Sequence, residues 1–123
     1  MITFDTFHLE EGIPIYLQII LFLKRGMVAG TIANGDALPS RRSLSALLGV
    51  NPNTIQKAYH LLETEGLITS QSGAKSLVCL DDGHLRKIRS ELLESDIRSA
   101  VSALKQAGLS KREALDLMEK YWN

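Results

Sequence analysis

The sequence predicts a mainly α-helical chain with one small β-hairpin and a helical tail, and three observations predict it. Apolar residues recur at helical spacing through three segments between residues 14 and 65, each closed by a glycine, at Gly30, Gly49 and Gly66. Two short β-prone runs follow, Leu67–Ser70 and Ser76–Leu80, joined by the turn-forming stretch Gln71-Ser72-Gly73-Ala74-Lys75. Asp81-Asp82-Gly83 then opens a second helical region that reaches the end of the chain. Three helices followed by a hairpin, with a tight turn between the second and third, is the order of a winged helix-turn-helix.

The elements justify themselves in turn. Residues 1–12 show no clear period and are expected to form an extended N-terminal arm ending at Glu11-Gly12. Pro14 suits the first position of helix one, because its missing N–H would have no partner there, and Gly30 is a natural left-handed cap. Helix one is thus expected over 14–29, with Ile15, Ile19, Phe22 and Leu23 inward and Leu17 and Leu21 pointing elsewhere. A turn-rich loop, Thr31 to Pro39, leads to Ser40, which can cap a short helix over 41–48. Gly49-Val50-Asn51 is the tight turn. Asn51 is a good cap and Pro52 a good first residue for helix three, which ends at Gly66. Helix four is expected over 84–107, closed by Gly108. Ser110 and Glu113 have capping-box spacing for a last helix over 111–122. The expected domains are 1–80 and a two-helix tail, 81–123.

Composition narrows the function classes. The chain has 123 residues, 45% of them hydrophobic and 23% charged, as an ordinary globular protein does. Lys and Arg balance Asp and Glu at 14 each, so any nucleic-acid surface must be a local patch made by placement and helix ends. One cysteine, Cys79, cannot form an internal disulfide and reads as a small apolar strand residue of a reduced, cytoplasmic protein. The acidic, polar N-terminus lacks the basic start of a signal peptide, and the apolar run from Ile13 to Leu23 is too short to span a bilayer. An enzyme is not expected. His8, His60 and His84 are scattered, and no metal-ligand spacing or phosphate-cradling glycine loop is present, so neither metal nor cofactor is expected.

Helix three carries the most pointed signal. At 100° per residue, Ile55, Ala58, Tyr59 and Leu62 fall on one side, while Asn53, Lys57, His60 and Thr64 fall opposite, with Gln56 on the flank. Asn and Gln can pair with the edge of adenine, and Lys can reach guanine or phosphate. Arg41 and Arg42 open helix two, where the helix dipole disfavours cations, and a phosphate partner would explain them. Taken alone, such a polar face is more often plain solvated surface.

The stretch from Ile13 to Val78 resembles the DNA-binding domain of the GntR family of bacterial regulators. The resemblance lies in PIYLQI at 14–19, LPSRRSLSALLGV at 38–50 and NTIQKAYHLLETEGLI at 53–68. The wording VNPNTIQKAY is most similar to the YtrA-type subfamily, whose members add a short tail of about two helices. The resemblance implies a regulator of transcription that binds a double-stranded DNA operator. Ser40, Arg41, Arg42, Asn51, Asn53, Thr54, Gln56, Lys57, Gly73 and Lys75 are the DNA-contacting candidates, and the resemblance implies that Arg42 stands at the family's contacting arginine. Relatives of this type often repress an operon that includes themselves and an ABC transporter. Two departures stand out. The usual wing has a second glycine where this chain has Gly73-Ala74-Lys75, which weakens the expected minor-groove contact. Many members also carry arginines where Pro52 and Gln56 stand here, so base preference should differ from theirs.

The tail is too short to enclose a ligand, and no small-molecule effector is specified by its residues. Leu85, Ile88, Leu92, Ile97, Val101 and Leu104 form one apolar stripe on helix four. A second copy is the expected cover, with Tyr121 and Trp122 adding to packing or interface, which makes a homodimer. A symmetric pair would read an inverted repeat. The competing reading is a winged-helix protein-docking module without DNA binding; steep loss of DNA affinity with salt discriminates the two.

Overall fold

The computed structural model describes residues 1–71 and 75–123. Among these described residues, five helices and two short strands follow in the order α1 (Ile15–Ala29), α2 (Arg41–Leu48), α3 (Pro52–Thr64), β1 (Ile68–Ser70), β2 (Ser76–Val78), α4 (Asp82–Gln106) and α5 (Lys111–Tyr121). The fold is therefore mainly helical with a small hairpin, as the periodicity predicts. Contacts divide the chain into two compact units, Met1–Ile88 and Arg89–Asn123.

The first unit is built around α3. Ile55, Ala58, Tyr59 and Leu62 are fully buried, and they meet Ile19, Leu23 and Met27 of α1 and Leu44 of α2 in one core. Each terminus has its own device. Pro14 precedes α1 with an extended ψ of 132°, so it caps the helix and Ile15 begins it, one residue later than expected. Gly30, at φ 84°, closes α1, and its N–H donates to the Met27 carbonyl. β1 and β2 pair antiparallel in the register Ile68 with Val78 and Ser70 with Ser76.

Three segments differ from the sequence expectation. The first is the N-terminal arm. Ile2 and Phe4 are buried in the core, and Phe4, Phe7 and Phe22 pack edge-on or tilted with ring centroids 4.8–5.5 Å apart. The segment has no period because it forms no helix or long strand, yet its aromatic side chains have a place beside α1. The second is the loop before α2. Ala37 bridges Leu77, with Leu38 N–H donating to the Ser76 carbonyl and Val78 N–H to Asp36, so this loop flanks β2 like a third strand. The Ile2 N–H in turn donates to the Ala37 carbonyl at 2.9 Å. Gly26 permits the close return of the chain here, since a Cβ on it would lie 2.5 Å from Ile32 Cδ1.

The third difference is at the start of α4, which packs with the first compact unit, Met1–Ile88. Ile88 is buried in the core of the first unit, and Leu85 packs against that core. Leu85 and Ile88, expected on the stripe offered to a second copy, thus pack within the first unit of their own chain. Leu92 is buried as well. Ile97 and Val101 remain exposed, and Leu104 is half-buried.

In the second unit Gly108, at φ 82°, ends α4, and the expected capping box starts α5: Glu113 N–H donates to Ser110 Oγ and Ser110 N–H to the Glu113 carboxylate. The Ser110 backbone bond holds the Glu113 carboxyl below its usual pKa range. No residue of α5 is buried. Ile97, Val101, Leu104, Leu109, Leu115 and Met118 border an apolar cleft of about 410 Å³. Tyr121 and Trp122, expected to pack, are exposed in the single chain.

Candidate nucleic-acid interface

The helix-turn-helix is set by small polar groups at the ends of α2 and α3. Ser40 Oγ accepts from the Ser43 N–H at 3.1 Å and caps α2. Gly49, at φ 67°, supplies the left-handed turn that ends it. Ser45 Oγ then donates to the Val50 carbonyl at 2.6 Å, and Val50 N–H returns a bond to the Ser45 carbonyl. Asn51 Oδ1 accepts from the Asn53 N–H at 2.8 Å and caps α3. Ser40 and Asn51 therefore each spend a side-chain oxygen on a helix end, which makes both of them first of all structural residues.

Neither α2 nor α3 carries an acid in its first turn. The positive dipole ends of both helices are left open to an anion, although at α3 the Asn53 N–H is already bonded to Asn51 Oδ1 and Pro52 has no N–H to offer.

The outward face of α3 is exposed at Asn53, Gln56, Lys57 and His60, and half-buried at Thr54. The side chains of Asn53, Gln56 and His60 bond to no other group among the described residues. Lys57 differs. Its ammonium lies 4.0 Å from the centroid of the Tyr16 ring on α1. Such a contact stabilises an exposed cation by about 0.5–1 kcal/mol. At the other end of α3, Glu65 pairs with Lys24 of α1 at 2.9 Å.

The two arginines of α2 also differ. Arg42 is exposed. Arg41 is half-buried, with its guanidinium 5.2 Å from the centroid of the Tyr59 ring. Tyr59 is itself fixed from the other end, its hydroxyl donating to the Pro39 carbonyl at 2.8 Å. Burial pushes the Tyr59 phenol far above its usual pKa, against the opposing pull of Arg41, so the ring stays neutral. In the wing, Lys75 is exposed and its carbonyl accepts from the Gln71 N–H. Gly73 lies outside the described residues.

Arg41 and Arg42 thus stand on α2, and Asn53, Gln56 and Lys57 on α3, two helices that pack against each other. Sequence reasoning missed the two tyrosine partners. Tyr16 stands in the PIYLQI motif, but nothing in the linear order links it to Lys57. Tyr59 was legible only as a core residue.

Residues 15–78, more than half of the chain, match the family described as "Bacterial regulatory proteins, gntR family". The chain belongs to the GntR family. Two relatives in Bacillus subtilis strain 168 extend the match beyond the winged helix. The uncharacterized HTH-type transcriptional regulator YhcF is 31% identical over 107 residues, covering 87% of this chain and 88% of YhcF. The HTH-type transcriptional repressor YtrA is 38% identical over 89 residues, covering 68% of each chain. Among solved structures, a GntR family transcriptional regulator from Listeria monocytogenes superposes with a TM-score of 0.79 at 28% identity, over 91% of this chain and 98% of that one. This GntR-family chain is accordingly a transcriptional regulator with a DNA-binding helix-turn-helix, and not an enzyme. No helix among its described residues is long and apolar enough to cross a membrane.

Proposed function

We propose that this GntR-family protein is a cytoplasmic repressor that binds an inverted-repeat operator as a homodimer, reading bases with α3 and gripping phosphates with the start of α2. One observation carries the reading. The side chains of Asn53, Gln56 and His60 are exposed and bond to no group among the described residues, while Ile55, Ala58, Tyr59 and Leu62 on the opposite face of the same helix are buried. A polar ridge on a rigidly seated helix fits the major groove, where Asn and Gln can discriminate base edges. Repression is supported by the relative YtrA, which is described as a repressor. Dimerisation is supported by Ile97, Val101 and Leu115, apolar groups left exposed on the tail, and by the exposed Tyr121 and Trp122 near its end.

Selection of bound duplexes from a random DNA pool tests the whole reading. The expected result is an inverted repeat whose half-sites lie about one helical turn apart, or a multiple of it. Absence of enrichment would overturn DNA reading, and a single unrepeated half-site would overturn the dimer.

Arg42→Ala is expected to weaken binding to specific and non-specific duplexes by similar factors and to lower the slope of log affinity against log salt by about 1, because a phosphate contact carries no sequence information. Titrations at several salt concentrations measure both quantities. A loss confined to the selected operator would assign Arg42 to a base instead.

A further inference from the structure

Lys57 stands on the helix proposed to enter the groove, where its residue type suits either guanine or phosphate. The structure separates it from its neighbours. Its ammonium is drawn onto the Tyr16 ring at 4.0 Å, whereas Asn53, Gln56 and His60 are engaged by no side chain among the described residues. Tyr16 lies in the first turn of α1, a helix that packs along α3 and is tied again to its far end by the pair Lys24–Glu65. The tether therefore runs from the α3 ridge to a fixed neighbour.

From this we infer that Tyr16 is a positioning residue, which holds Lys57 against α1 so that the lysine meets a DNA phosphate and not a base edge. The inference rests on the operator-binding reading given above. A flexible four-carbon stem can reach the groove floor only when extended away from its own domain. A cation kept over a ring on α1 gives up that reach. It keeps its charge and its outward N–H groups, which are what a phosphate requires, since ammonium–phosphate attraction needs little directional geometry. Tyr16 also lowers the freedom that Lys57 would lose on binding, so removing the ring weakens the contact without removing the charge.

The test uses the full chain and a duplex carrying its selected operator, with binding measured across a salt series. Lys57→Gln is expected to lower the salt slope by about 1 and leave the base-preference profile unchanged. Tyr16→Leu is expected to weaken binding by about two- to fivefold at unchanged slope, and Tyr16→Phe, which keeps the ring, to bind as the parent does. The double variant Tyr16→Leu with Lys57→Gln should bind no more weakly than Lys57→Gln alone. Additive losses in the double variant would overturn the positioning role. An altered preference at one base position in Lys57→Gln would overturn the phosphate assignment, and that arm suffices by itself if circular dichroism shows Tyr16→Leu to be unfolded. Failure of the parent protein to bind any duplex would instead overturn the operator-binding reading, and this inference with it.

Discussion

Tyr59→Ala should cost about 3–5 kcal/mol of folding stability, the range for truncating a buried large aromatic. The ring is fully buried at the centre of the α1–α2–α3 core. Its removal leaves a cavity, deletes the hydroxyl bond to the Pro39 carbonyl and takes away the surface on which Arg41 rests. Small domains are stable by only about 5–15 kcal/mol, so this loss consumes a large part of the total. Urea unfolding followed by circular dichroism measures it. Tyr59→Phe separates the contributions: the ring and the Arg41 contact stay, and only the hydrogen bond goes, at about 0.5–1.5 kcal/mol. A Tyr59→Ala variant unfolding at the parent's urea midpoint would show that the helix-turn-helix does not depend on this ring.

Gln56→Ala and Asn53→Ala should leave folding nearly untouched and change what is read. Both side chains are exposed, and exposed substitutions away from caps and core shift stability by about 0.5 kcal/mol or less. For Asn53 the capping bond is made by its backbone N–H, so the side chain can be removed without loss of the cap. A well-placed amide paired with a base edge discriminates by roughly 1–3 kcal/mol, so each variant should flatten preference at one position of each half-site. Repeating the random-pool selection with each variant measures this directly. The contrast with Arg42→Ala, whose loss should be uniform across sequences, divides the interface into reading and gripping parts. Unchanged profiles for both Gln56→Ala and Asn53→Ala would place recognition outside α3.

Much of the winged helix was legible because its signals are local. Gly30, Gly49 and Gly66 mark helix ends through backbone freedom, and Ser40, Asn51 and Ser110 mark helix starts through short-range oxygen-to-amide bonds. The inward face of α3 followed from periodicity, since a 3.6-residue repeat fixes which side chains share a face wherever the helix packs. The candidate site was legible to the same degree: the exposed ridge is the complement of the buried one.

The features that escaped notice all depend on contacts between residues distant in sequence. Ile2 and Phe4 belong to no periodic run, and only the closure of the chain beside α1 makes them core. The loop at 36–38 takes strand-like bonds because β2 offers a free edge, which no propensity of Asp36-Ala37-Leu38 foretells. Leu85 and Ile88 read as part of one stripe with Ile97 and Val101, yet the core of the first unit covers the former pair and leaves the latter exposed.

The sequence by itself determined the helices, their caps, the buried face of α3 and hence the polar ridge left exposed opposite it. Only the tertiary structure decided which tyrosine each cation meets, where the domain ends along α4 and which part of the tail stays uncovered. The division has one physical cause. Periodicity and capping are set within a few residues, whereas ring contacts and burial depend on which surfaces the fold brings together.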